Sequence, residues 1–105
     1  MEEMPDDVWN NIIDVTLNGT MRVMRASIPH LKKTRGVIVN NASVLGWRAQ
    51  KDQTHYAAAK AGVMALTRCT AVELAEYNIR VNAVAPSLAL NPNLSKTSSD
   101  ELINT

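Results

Sequence analysis

Tyr56 and Lys60 stand four residues apart in the run His55-Tyr56-Ala57-Ala58-Ala59-Lys60. On a helix that spacing puts both side chains on one face, one turn apart. A positive charge beside a phenol favours the phenolate and draws its pKa down from about 10. A tyrosine so tuned gives or takes a proton at physiological pH. The pair alone is a weak signal, because chance places Tyr-x-x-x-Lys in many helices. Ser43 strengthens it: the serine lies 13 residues before Tyr56, just after the apolar run Val37-Ile38-Val39. A strand should carry Ser43 to its end, and a loop should return the chain to the tyrosine helix. One short segment then holds a hydroxyl to polarise a carbonyl, a proton donor and a lysine.

The elements that must position these groups are legible in the pattern. Met4-Pro5-Asp6-Asp7 reads as a helix start, with proline in the first turn and acids at the positive end of the dipole. Trp9, Ile12, Ile13, Leu17, Met21, Met24, Ile28 and Leu31 then recur at helical spacing. Thr16 to Thr20 is a poor helix interior and predicts a local irregularity. Pro29 should kink or close the last turn. Gly36 precedes a β-branched run expected to be a buried strand. An alanine-rich helix is expected over residues 55–76, and a second buried strand over residues 81–85. Strand, helix, strand in that order implies a right-handed parallel crossover. Residues 87–96 read as loop, and Ser98-Ser99-Asp100-Glu101 resembles a capping box.

Composition narrows the classes. The 105 residues carry a net charge of +1 with both signs interspersed, and no basic stripe suggests nucleic acid. No apolar run approaches the roughly 20 residues that cross a bilayer. Met1-Glu2-Glu3-Met4-Pro5-Asp6-Asp7 lacks a signal-peptide pattern. A single cysteine, Cys69, excludes an internal disulfide and fits a reducing cytoplasm. Lying in an amphipathic helix, it is expected to be a buried small hydrophobe.

Four motifs occur in a telling order. They are Val15-Thr16-Leu17-Asn18-Gly19, the stretch Gly36-Val37-Ile38-Val39-Asn40-Asn41-Ala42-Ser43-Val44-Leu45-Gly46, Tyr56-Ala57-Ala58-Ala59-Lys60-Ala61-Gly62-Val63, and Ile79-Arg80-Val81-Asn82-Ala83-Val84-Ala85-Pro86. Over roughly residues 9–90 the chain resembles the short-chain dehydrogenase/reductase family, respectively at its Val-Asn-Leu-x-Gly helix, its fifth strand with catalytic serine, its catalytic helix, and its sixth strand. The resemblance implies part of a doubly wound parallel, Rossmann-like α/β sheet. It implies an oxidoreductase moving hydride between NAD or NADP and a small-molecule alcohol or ketone.

By this resemblance Tyr56 is the general acid/base, against the bland reading of a tyrosine packing a helix start. Lys60 tunes Tyr56 and holds the nicotinamide ribose, against a solvated lysine. Ser43 hydrogen-bonds the substrate oxygen, although a serine after a strand is ordinarily a turn former. Thr16 stands at the family's catalytic asparagine. Its hydroxyl could hold a relay water, with fewer hydrogen-bond positions than an amide. Asn18 is a poor substitute, because residues two apart do not share a helix face. Pro86, Ser87, Leu88 and Asn91 fall where the family contacts the cofactor, and Ser87 replaces a glycine, which restricts positive φ. Leu88, Leu90 and Leu94 are compatible with an apolar substrate, though loop leucines more often only pack. His55 reads as a helix-start histidine with no chemical role more readily than as a pocket residue. Trp47 divides evenly between pocket and core edge.

The family's complete domain is about twice as long as this chain. No Gly-x-x-x-Gly-x-Gly run occurs in the 105 residues. Residues 1–105 are therefore expected to be the catalytic half of the domain, an internal fragment or a reading frame truncated at Met1, without the nucleotide-binding half. The full-length form is expected to be a cytoplasmic homodimer or homotetramer. Val8, Val15 and Val23 on the first long helix, with Val63, Leu66 and Thr70 on the second, are the candidate contacts. A competing class is a partial domain that serves only as an interaction piece, or has no function.

Overall fold

The computed structural model describes residues 1–86. Ser87, Leu88, Leu90, Asn91, Leu94 and the capping box at residues 98–101 lie outside the described residues. The order is α1 (Asp6–Ile12), a π-turn (Ile13–Asn18), α2 (Gly19–Thr34), β1 (Val37–Asn41), a 3₁₀ turn (Val44–Gly46), α3 (Thr54–Leu74), a second 3₁₀ turn (Ala75–Tyr77) and β2 (Arg80–Val84). The strands pair in parallel, from Val37 opposite Arg80 to Asn41 opposite Val84. The ladder is prolonged where the Ala42 N–H donates to the Val84 carbonyl at 2.8 Å.

The irregularity in the first long helix falls at Ile13–Asn18, slightly before the threonine-rich stretch that predicted it. Ile12, Ile13, Val15 and Thr16 crowd β-branched side chains into little more than one turn, which strains an α-helical register. On the outer side of the turn, Asn18 Nδ2 donates to Asp14 Oδ1 at 3.2 Å and Arg22 Nη1 donates to the same oxygen at 2.9 Å. These bonds, that from Asn18 first, hold the Asp14 carboxyl below the usual carboxylate range. Pro29 neither closes α2 nor stands in its last turn; the helix runs on to Thr34. Ile28 and Leu31 pack on the core around it. That apolar contact offsets the one backbone hydrogen bond a proline removes. The helix closes where Arg35 turns left-handed, with φ 58° and ψ 44°. Its N–H donates to the Leu31 carbonyl at 2.7 Å.

Alanine at residues 57, 58, 59, 61 and 65 makes α3 a strong helix former. Its buried stripe is Ala59, Val63, Thr67, Thr70 and Leu74, at the three- and four-residue spacing of a single face. The core joins Met24 of α2, Ile38 of β1, Leu74 of α3, Val81 of β2 and Ile79 just before it. Each such side chain contributes about 1.5–3 kcal/mol on burial, more than an exposed ion pair supplies. Asn40 lies on the same inward face as Ile38. Its Nδ2 donates to Thr67 Oγ1 at 2.9 Å, and Thr67 Oγ1 donates in turn to the Val63 carbonyl at 2.7 Å.

Three expectations need correction. The strands are buried on one side only: Val37, Val39 and Val84 stay 45%, 59% and 51% exposed. Both α2 and α3 pack on the face of Ile38, Asn40 and Val81, and among the described residues nothing covers the other. Cys69 is exposed, because it stands next to Thr70 but about 100° around the helix from the buried stripe. Val63 and Thr70 are buried within the chain itself and present no surface, while Val8, Val15 and Val23 remain exposed. No helix among the described residues is long and apolar enough to cross a membrane.

Candidate active site

The site is assembled where β1 ends and α3 begins. Lys60, one turn into the accessible side of α3, reaches back across the loop to the strand. Its Nζ donates to the Asn41 carbonyl at 2.8 Å and lies 5.6 Å from the centre of the Tyr56 ring. One of three ammonium protons is therefore committed to the strand end, and two remain to donate elsewhere. Partial burial holds the Lys60 pKa below its ordinary 10.5, since desolvation disfavours the charged form.

Ser43 follows two residues after Asn41 and caps the 3₁₀ turn. Its backbone is extended and its Oγ accepts from the Leu45 N–H at 3.2 Å. That bond fills a lone pair and leaves the hydroxyl proton free to donate. The Gly46 N–H donates to the Ser43 carbonyl at 2.8 Å, which closes the turn.

Thr16 sits in the π-turn, whose next residue, Leu17, lies against Gly62 of α3. A Cβ on Gly62 would come within 2.8 Å of Leu17 Cδ2. The Thr16 carbonyl accepts from Thr20 Oγ1 at 2.7 Å. The Asn18 amide donates to Asp14 Oδ1 at 3.2 Å. The structure thus brings Ser43, Tyr56 and Lys60 to one strand end, with the Thr16 segment packed on the same helix. Pro86 is exposed just past β2. Ser87, Leu88 and Asn91 are outside the described residues. His55 is half-buried and its Nδ1 has no hydrogen-bond partner among the described residues. Trp47 is 63% exposed.

Sequence reasoning missed Asn40, Thr67, Gly46 and Gly62. The first two had a signal: Asn40 alternates with Ile38 on the inward side, and Thr67 falls on the apolar stripe of α3. The glycines stand inside the motifs quoted above, but the neighbours they make room for leave no trace in the sequence.

Parallel strands, a crossover helix and a polar site at the strand ends fit part of a doubly wound α/β domain. The model of the short-chain dehydrogenase family matches residues 1–102, and the chain belongs to that family. It is 57% identical over 104 residues to the (5R,7aS)-5-hydroxy-7a-methyl-1-oxo-2,3,5,6,7,7a-hexahydro-1H-indene-carboxyl-CoA reductase of Mycobacterium tuberculosis, covering 97% of this chain and 40% of the relative. A short-chain dehydrogenase from Mycobacterium smegmatis superposes with a TM-score of 0.79 at 56% identity, over 85% of this chain and 37% of the other. Carveol dehydrogenase from Mycobacterium avium, solved in complex with NAD, superposes with a TM-score of 0.82 at 38% identity, over 90% and 35%. The chain thus spans about 40% of the length of that reductase.

Proposed function

We propose that this chain carries the catalytic half of an oxidoreductase that moves hydride between NAD or NADP and an alcohol or ketone. The observation that carries the reading is the Lys60 bridge: its Nζ is bonded to the Asn41 carbonyl at 2.8 Å and stands 5.6 Å from the Tyr56 ring. That bridge ties the strand bearing Ser43 to the helix bearing Tyr56.

The residues fit a nicotinamide cofactor, because the two uncommitted Lys60 protons suit the paired hydroxyls of a ribose. When bound, the cofactor accepts or supplies the hydride. Ser43 donates its free proton to the substrate oxygen and stabilises charge developing there. Tyr56 takes the hydroxyl proton of an alcohol, or gives a proton to the oxygen of a ketone. The Lys60 ammonium stands 5.6 Å from the centre of the ring that makes that exchange. Thr16, in the turn packed on the lysine helix, is the residue whose hydroxyl would hold a relay water. By the family resemblance, Pro86, Ser87, Leu88 and Asn91 would contact the cofactor. Similarity to a reductase named for a hexahydroindene carboxyl-CoA supports an alicyclic substrate. A homodimer or homotetramer in the cytoplasm is in keeping with the exposed Val8 and the single cysteine.

The test is an exchange. The matching segment of the M. tuberculosis reductase is replaced by this chain, and turnover of that enzyme's own substrate is followed through nicotinamide absorbance. Turnover within about 10-fold of the parent is expected, a change of about 1.4 kcal/mol in the barrier. A folded, cofactor-binding but inactive exchange product would favour the competing reading, an interaction piece presenting the bare Val37, Val39 and Val84 face.

A further inference from the structure

We propose that Asn40 is a positioning residue, whose buried amide fixes where α3 lies along β1 and so sets Tyr56 and Lys60 of the helix against Ser43 at the strand end. The proposal rests on the catalytic reading above. Asn40 and Thr67 are each only 7% exposed. Asn40 Nδ2 donates to Thr67 Oγ1 of α3 at 2.9 Å and to Met24 Sδ of α2 at 3.4 Å. Both amide protons are thereby used. Among the described residues, no other side chain hydrogen-bonds to both long helices. The partner on α3 is itself held: Thr67 commits its hydroxyl proton to the Val63 carbonyl at 2.7 Å, which leaves a lone pair for Asn40.

Asn41, the next residue, supplies the carbonyl that takes Lys60 Nζ at 2.8 Å, and Ser43 stands two residues further on. Neighbouring strand residues thus hold α3 at two points, Lys60 and Thr67, which lie two turns or about 10 Å apart on the helix. The core around them, formed by Ile38, Leu74, Ile79 and Val81, is apolar. Apolar burial is non-directional and tolerates a slide of helix on strand. A hydrogen bond has a preferred length and angle, and a slide of about 1 Å weakens or breaks it. Tyr56 belongs to the helix and Ser43 to the strand end, so any such slide changes the distance between them. A misplacement of about 1 Å in a site of this kind costs on the order of 100-fold in rate.

The experiment compares three forms of the exchanged reductase: Thr67→Ser, Thr67→Val, and Thr67→Val combined with Asn40→Leu. Serine keeps the hydroxyl and loses a methyl, so Tm should fall while kcat stays within about threefold of the parent. Valine keeps the shape and loses the bond, and kcat should fall by about 10- to 100-fold. The double variant leaves no buried polar group unpaired, so its Tm should recover towards that of the parent, yet kcat should stay as low as in Thr67→Val. A merely structural role predicts that rate follows Tm, with the double variant faster than Thr67→Ser. That order, or equal rates for Thr67→Ser and Thr67→Val, would overturn the proposal, and the second comparison needs no double variant. A crystal structure of the Thr67→Val protein reads the same question without turnover, so an inactive parent would sink the catalytic reading alone. A shift of α3 along β1 that changes the separation of Tyr56 and Ser43 by about 1 Å is expected there. A helix left in place, with Lys60 Nζ still on the Asn41 carbonyl, would refute the positioning role.

Discussion

The two long helices of this molecule face the same side of the same two strands, yet they are built differently. α3 buries an unbroken stripe, with Ala59 and Val63 fully enclosed, and presents Tyr56 and Lys60 on its accessible side. The first helix is interrupted by a π-turn and buries only Met24, while Val15 and Val23 remain 66% and 68% exposed. Val15 and Val23 line a groove with Val37 and Val39 along the free edge of β1. An element that holds reacting groups must be over-determined by packing. One that holds a single auxiliary hydroxyl can leave part of its apolar surface to other contacts.

Removing the charge of α3 should have the larger consequences. In the exchanged reductase, Lys60→Met should raise the cofactor KM by about 10- to 100-fold, the worth of one or two charge-assisted hydrogen bonds of about 1.5–3 kcal/mol. Steady-state titration with NADH and NADPH measures it. Stability carries a further signature. The folded chain binds the Lys60 proton less tightly than the unfolded chain. Stability should therefore rise as pH climbs from the lowered value towards 10.5. Lys60→Met should abolish that rise.

Packing provides the next contrast. Val63→Ala should cost about 1.5–3 kcal/mol in urea unfolding of this chain, because the site is enclosed on all sides. Val23→Ala should stay within about 0.5 kcal/mol. Equal losses would show that the exposed valines are covered by contacts not described above.

Much of this contrast was legible in the sequence. Tyr56, Lys60 and Ser43 announce themselves because a strand end and a helical four-residue spacing leave few ways to place them. Both strands and both long helices were foreseen to within a few residues, since β-branched runs and a 3.6-residue period are local signals. The exposure of Cys69 was not foreseen, because the helix was read as amphipathic, whereas its weakly patterned, alanine-rich sequence does not reveal which face is covered. Nor was the one-sided burial of β1, which depends on where two distant helices settle. The bond from Lys60 to the Asn41 carbonyl is a tertiary fact with no local trace.

Smaller effects concern the π-turn. Thr16→Asn should slow kcat by up to about 10-fold, because the bulkier amide overpacks a segment that Leu17 already presses against Gly62. A faster enzyme would mean that threonine only degrades a proton relay. An unchanged rate and pH profile would remove this position from proton delivery. Asp14→Asn should be milder still. Its carboxyl is stabilised in the folded state by Asn18 and Arg22, so it supports the turn above its unfolded value of 3.8 and ceases to as pH falls through the lowered folded one. The variant should lose that acid-dependent part of the helix signal in circular dichroism, and little else.

The central claim is that α3 carries the proton-transferring residue, and turnover of the exchanged reductase with Tyr56→Phe tests it most directly. The substitution deletes one hydroxyl and leaves ring, helix and Lys60 in place. Turnover should fall by about 100- to 10,000-fold, the usual worth of a positioned acid or base, with NADH affinity unchanged within about threefold. A Tyr56→Phe enzyme that keeps more than about a tenth of the parent rate, with the same pH profile, would contradict the account.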